Sequence, residues 1–266
     1  MAKNNSKAKT KSTKPTKKET IDIKNRIINI SENGKDKKIP LNNKQIAEIL
    51  YGKRFKLRGK NKNQDDLIKK ISKNEITIAI GPAGVGKSYI SVAKALELLA
   101  HPDNNYQKIY VITPAVDADE KLGYLKGTLE EKLDPYLFST YYLIDKIIGK
   151  DNRKMLQEME IVEPLALAFI KGMNIDNAIL ILEEGQNTTP GQMKNLLTRI
   201  GFNSKFIISG DLEQVDRTTK EKCGLYDALV KLEGMNGIGQ IKFTKEDVVR
   251  NPLITNILNR YDDKND

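Results

Sequence analysis

The chain has 266 residues and a mass of 30.0 kDa, enough for one large domain or two small ones. It is 39% hydrophobic and 30% charged, and no apolar run approaches the roughly 18 residues that a membrane-spanning helix requires. A single cysteine, Cys223, excludes an intramolecular disulfide, and with one histidine, His101, it leaves no material for a multi-cysteine zinc site or a histidine-based triad. Cys223 reads as a small, partly buried residue or a surface thiol, and His101 as the end of a helix. The basic start is followed by no apolar stretch, so no signal peptide is expected and the cytoplasm is the expected location.

The net charge of +10 is unevenly placed. Residues 1 to 70 hold 21 Lys and Arg against 7 Asp and Glu, a net of +14, whereas the remainder carries −4. Residues 1 to 20, with seven lysines and one glutamate among Ser, Thr and Asn, cannot bury enough apolar surface to fold alone and read as a disordered basic tail. Such a tail suits phosphate backbones or simple solubility. Residues 21 to 60 read as a small basic extension, with a short strand in ETIDIKNRIINI and a helix in LNNKQIAEILYG. From 61 to 266 the pattern becomes that of one larger domain of alternating apolar strands and amphipathic helices.

A helix is expected around QDDLIKKISKN, then a strand over 76–81 and a helix in SYISVAKALELLA. KIYVITP (108–114) reads as a strand, followed by a charged connection and helical stretches between about 129 and 171. AILILEE (178–184), KFIISGD (205–211) and IGQIKFT (238–244) read as further strands, with helices near PGQMKNLLTRI, after Asp211, and in EDVVRNPLITNILNRYD. Short, almost continuous apolar strands alternating with helices imply an α/β fold, a mostly parallel sheet covered by helices on both faces.

Gly81-Pro82-Ala83-Gly84-Val85-Gly86-Lys87-Ser88 fits G-x-x-x-x-G-K-[ST] between an expected strand and an expected helix. The glycines let the backbone curl so that N–H groups converge on phosphate oxygens, helped by the positive end of the next helix. Lys87 would neutralise β and γ phosphates and Ser88 would ligate Mg²⁺. Glu183 and Glu184 follow the strand 179–182, at the carboxyl end where ligands of open α/β sheets bind. Glu183 is assigned to the metal, Glu184 to the hydrolytic water, and Gln186 to sensing the γ-phosphate. Ser209 and Gln214 read as relays of the phosphate state, and Asp211 as support for the metal shell.

The combination of GPAGVGKSY, ITPAVDADEKLGYLKGTLEEKLDPY, ILILEEGQNTTPGQMKNLLTRIGFNSKFIISGDLEQVD and DVVRNPLI resembles the PhoH family of ATPases, which are similar to superfamily 1 helicases. The resemblance runs from about residue 60 to 262. It implies a RecA-like P-loop NTPase fold, ATP hydrolysis with Mg²⁺, a role in RNA metabolism or phosphate starvation, and ring-shaped oligomers in some members. It places Lys87 and Ser88 in the phosphate loop with Tyr89 beside them, Glu184 in the Walker B position, and Gln186 and Gln214 in helicase-like coupling motifs. Gln64 matches a glutamine that binds adenine, Arg250 an arginine that meets the γ-phosphate within the chain or across a subunit boundary, and Arg199 a further family arginine.

Three departures stand out. The family's DEAQ is Glu183-Glu184-Gly185-Gln186, one methylene longer at the metal position; TRPA is Thr113-Pro114-Ala115 without its arginine; and LPGD is Leu125-Lys126-Gly127-Thr128 without its acid. Mg²⁺ demands near-ideal octahedral geometry, so slow hydrolysis is expected. A compact ATPase with a short basic extension looks like the versions carried by bacteriophages, which would make the location a host cytoplasm. Two functions remain open: an ATPase coupled to RNA or single-stranded DNA, or an ATP-dependent switch or assembly factor acting on protein partners. Tyr124, Tyr136 and Phe138, the aromatics of the long connection, are expected in the core rather than as stacking platforms.

Overall fold

The computed structural model describes residues 18–22, 27–32, 35–40, 57–101, 103–112, 114, 129–215, 222–249 and 260. The chain divides into two units, residues 1–41 and 42–266. In the first, β1 (Lys18–Asp22), β2 (Ile27–Glu32) and β3 (Lys35–Pro40) form an antiparallel sheet in the order β1-β2-β3. Ile21, Ile28 and Ile39 fall in register across it. Lys35 pairs with Glu32, and the residues between them, Asn33-Gly34, are the pair that two-residue hairpins favour. The sequence suggests one strand where β1 and β2 lie, and β1 begins inside the expected tail. The helix expected in 41–52 lies outside the described residues.

The second unit is built on six parallel strands: β4 (Ile76–Ile80), β5 (Lys108–Ile112), β6 (Val162–Pro164), β7 (Ala178–Leu182), β8 (Lys205–Gly210) and β9 (Ile238–Lys242). Their order is β6-β5-β7-β8-β4-β9. The central strands are β-branched and apolar along most of their length because both faces are covered. Ile76, Ile78, Leu180, Leu182, Phe206 and Ile208 share one core with Met193 and Leu196 of α5 (Pro190–Leu197) and Leu225 and Ala228 of α6 (Gly224–Lys231). The alternate residues, Ala79, Val111, Ile179, Ile181 and Ile207, are buried on the opposite face. There α1 (Lys62–Lys73), α2 (Lys87–Ala100) and α3 (Leu129–Ile148) form the second layer.

This is a RecA-like P-loop arrangement, because β8 is inserted between the phosphate-loop strand β4 and the carboxylate strand β7. The carboxyl ends of all three strands therefore open side by side. No described helix is long and apolar enough to cross a membrane.

The expected helical region 129–171 is more varied than its sequence suggests. α3 stops at Gly149, whose φ of 87° is left-handed, and α4 (Lys150–Glu158) restarts the helix. The chain then enters β6, an edge strand of three residues paired only with β5, and a 3₁₀ turn at Leu167–Ile170. Pro164 is tolerated at such an edge, and three residues are too few to show a period of two. The last expected helix begins only as a 3₁₀ turn at Lys245–Asp247, and most of its remainder lies outside the described residues. Helix α2 ends with His101 as its C-cap, as its sequence implies, and Cys223 is buried.

Phe138 corrects the expectation that the aromatics of this region are core. It is 71% exposed, because the buried face of α3 is made by Leu137, Tyr141, Ile144 and Ile148, and residue 138 turns about 100° away from it. Tyr124 and the Tyr136 side chain lie outside what the structure describes.

Candidate active site

The cleft forms where the backbone leaves β4. Gly81, Gly84 and Gly86 all take positive φ, so the chain curls sharply between Gly81 and Gly86 before α2 begins. At Gly81 and Gly86 the absence of a side chain is also steric. A Cβ on Gly81 would lie 2.6 Å from Cβ of Phe243, and one on Gly86 would lie 2.8 Å from Nε2 of Gln64. The cleft has a volume of about 490 Å³, and Gly84, Gly86, Lys87, Ser88 and Tyr89 face Glu183, Glu184, Ser209 and Gln214 across it.

Lys87 is buried, and its ammonium donates to the carbonyls of Gly81 at 2.5 Å and Pro82 at 2.9 Å. A phosphate drawn into the loop offers that cation a stronger, charged partner. Across the sheet, Oε2 of Glu183 accepts from Ser88 Oγ at 2.5 Å and from Ser209 Oγ at 2.7 Å. The insertion of β8 makes this possible, since Ser209 stands between the other two groups.

Glu183 is 5% exposed, and its second oxygen, Oε1, is buried with no hydrogen-bond partner among the described residues. Burial pushes its carboxyl above the ordinary carboxylate range, and the two serine hydrogen bonds and Lys87 pull it back only in part. The neighbouring Glu184 adds to the rise. An orphaned, desolvated carboxylate oxygen beside a serine hydroxyl is the hard oxygen donor set that Mg²⁺ takes, so these residues fit the cation. Among the described residues no three His, Cys, Asp or Glu side chains converge on one point. A cation held here would have to draw the rest of its shell from a ligand or from water.

Glu184 is exposed at the cleft, with φ 53° and ψ 39°. A left-handed backbone at a non-glycine residue costs roughly 1–3 kcal/mol and persists where the surroundings fix it. Here Gly185-Gln186-Asn187 turns sharply out of β7, and Gln186 locks the turn from below. Its Nε2 donates to Glu184 Oε2 at 2.6 Å and to Gln214 Oε1 at 3.4 Å, while its Oε1 accepts from the Asp211 amide at 3.0 Å. Gly210 has no room for a side chain, because a Cβ there would lie 2.6 Å from Gln186 Oε1. The Asp211 carboxylate caps its own turn, accepting from the Glu213 amide and from Gln214 Nε2.

Gln64 sits beneath the loop rather than in the lining of the cleft. Its Nε2 donates to the Val85 carbonyl at 2.9 Å and its Oε1 accepts from the Lys60 amide at 2.8 Å, tying the start of α1 to the phosphate loop. Arg199 is remote, donating to the Met173 carbonyl and to Thr198. Arg250 lies outside the described residues; its predecessor Val249 lines the cleft and donates its amide to Gly84 O at 3.2 Å. Leu143 and Lys146 of α3 also line the cleft, and no sequence motif points to them.

The sequence profile described as PhoH-like protein matches residues 56–262. A PhoH-like protein of Bacillus subtilis (strain 168) is 43% identical over 221 residues, covering 83% of this chain and 68% of that protein. A PhoH-like protein of Synechocystis is 38% identical over 77% of this chain and 62% of its own length, and Protein PhoH of Escherichia coli (strain K12) is 38% identical over 76% and 57%. The chain thus spans about three fifths to two thirds of these relatives. Among solved structures, a large terminase from a thermophilic bacteriophage aligns with a TM-score of 0.46 at 12% identity, over 75% of this chain and 49% of that one. The UvsW helicase from bacteriophage T4 aligns at 0.38 with 20% identity, over 76% and 67%. At such scores neither says more about the fold than the sheet order itself. With its phosphate loop, its paired glutamates and a family match over most of its length, the chain belongs to the PhoH-like family.

Proposed function

We propose that this protein is a Mg²⁺-dependent ATPase whose cycle is coupled to RNA or single-stranded DNA. The observation that carries the reading is the chain of contacts from Ser88 through Glu183 to Ser209, beside the Glu184–Gln186–Gln214 hydrogen bonds. It joins the nucleotide end of the phosphate loop to the turn after β8, the connection a motor needs to pass on the state of the γ-phosphate.

In this reading the loop amides and Lys87 bind the β and γ phosphates, and Ser88 and Glu183 hold the cation. When bound, Mg²⁺ neutralises phosphate charge and aligns the leaving group. Glu184 orients the attacking water and takes its proton. Gln186 keeps the Glu184 carboxylate aimed while reporting its position to Gln214. Tyr89, exposed at the mouth of the loop, offers a ring face to the base, and Gln64 holds Val85 and hence the loop's shape.

The test is steady-state ATP turnover with Mg²⁺, with and without single-stranded RNA or DNA, in wild type and Lys87→Ala. Polymer-stimulated turnover that disappears in Lys87→Ala supports the reading, and turnover unchanged in the variant overturns the site. One observation favours a second reading, an ATP-dependent switch acting on protein partners. Glu183 already bridges two hydroxyls where the family's usual aspartate is one methylene shorter, which suits slow hydrolysis. Tight ATP binding with slow, unstimulated turnover would favour that alternative.

A further inference from the structure

Helix α3 carries an exposed stripe that its own packing does not need. Its buried face is complete with Leu137, Tyr141, Ile144 and Ile148. Phe138 and Tyr142, one turn apart on the other side, are 71% and 58% exposed. Two large rings left in water at i and i+4 lie about 5–6 Å apart at their Cβ atoms and form one surface. The next residue on the same line, Lys146, is exposed and lines the ATP cleft together with Glu184. Asp145, the carboxylate next to Lys146 on the helix, is held by Arg153, whose guanidinium also lies 5.0 Å from the centre of the Tyr141 ring. The stripe on α3 therefore presents two rings and then the cation of Lys146.

We propose that Phe138, Tyr142 and Lys146 form a track for single-stranded nucleic acid that runs along α3 to the mouth of the ATP cleft. The proposal rests on the nucleic-acid-coupled reading above and gives it a location. Successive bases stack on the two rings, which is tolerant of sequence because every base has a π face, and Lys146 meets a phosphate. Lys146 at the cleft end of the stripe, on a chain whose net charge is +10, selects a polyanion over a second, equally basic copy of the chain as the occupant. Because Lys146 belongs to both the track and the cleft, a bound strand brings negative charge beside the nucleotide. That supplies a route from strand binding to ATP turnover that does not pass through β8.

The experiment is fluorescence anisotropy of the full chain with short fluorescein-labelled oligo(rU) and oligo(dT) at several salt concentrations. The Phe138→Ala/Tyr142→Ala double variant is expected to weaken binding by at least about tenfold, since each base stacked on a ring accounts for a loss of that order. Tyr142→Phe retains affinity and Tyr142→Leu loses it, which separates stacking from bulk, and matching thermal melts show that the variants fold. Lys146→Gln is expected to reduce the salt slope by about one. If wild type binds neither oligonucleotide, the reading on which the track rests fails. If wild type binds and the double variant binds equally well, the track alone is overturned. It is also overturned if light scattering shows that the double variant breaks self-association while leaving oligonucleotide affinity intact.

Discussion

The two ends of strand β8 each hold a buried charge beside them, and they treat it differently. At the amino end, Lys205 is buried and its ammonium donates to the carbonyls of Asn74 and Ser72, where α1 gives way to β4. Burial lowers its pKa to about 8, with Glu75 opposing and Lys94 adding to the fall. At the carboxyl end, Glu183 receives two hydroxyl hydrogen bonds on one oxygen and, among the described residues, none on the other. The first end is closed by the protein's own backbone. The second is left one partner short, and it is the end that opens on the phosphate loop. A buried charge satisfied from within serves the fold, whereas one left incomplete marks where a ligand completes the structure.

The largest expected effect lies just outside the pair. Glu184→Gln should retain ATP while lowering turnover by about 10²–10⁴-fold, the usual worth of a positioned general base, and equal hydrolysis rates would remove Glu184 from that role. Glu183→Gln tests the incomplete end directly. Replacing a desolvated carboxylate with a neutral amide should raise the melting temperature at neutral pH without Mg²⁺, by about 2–4 °C for each kcal/mol gained, while removing the further rise expected of wild type with Mg²⁺ and ATP. A variant that melts lower without cation and still gains from Mg²⁺ would break the contrast.

The closed end gives the smallest signal, in pH. Between about 8 and the ordinary lysine value of 10.5 the folded chain binds fewer protons at Lys205 than the unfolded chain does, so this residue makes stability rise with pH across that window. The contribution is present above the ordinary value and is lost as pH falls through about 8. Lys205→Met should flatten the rise, measured by denaturant unfolding at several pH values; an unchanged slope would mean that Lys205 is not buried as described.

The phosphate loop and both glutamates are legible in the sequence because their chemistry is local. Gly81, Gly84, Gly86, Lys87 and Ser88 each have a steric or charge requirement that few residue types meet, and Glu183-Glu184 directly follow a strand whose burial is written in five apolar residues. Sheet order is not legible, because strands as alike as ILIL and FIIS carry no mark of their neighbours. The contact of Ser209 with Glu183, which depends on β8 lying between β4 and β7, is therefore invisible without the structure. Strand β6 escapes because three residues ending in proline show no alternation, and Phe138 is misplaced because an aromatic in a helical stretch is ordinarily core. Leu143 and Lys146 reach the cleft only through the packing of α3 on α2.

The phosphate loop is also held from a distant part of the chain. Phe243 donates its amide to Ile80 O at 2.8 Å and sits where a Gly81 side chain would be, and Val249 donates to Gly84 O. The loop looks self-contained when read as eight consecutive residues, yet its walls are made well over a hundred residues later. During synthesis, the segment carrying the glycines and Lys87 leaves the ribosome long before the residues that brace it. A nascent chain that ends before Val249 should thus have the whole motif and little grip on ATP, so nucleotide binding becomes a sign that the domain has been made to its end.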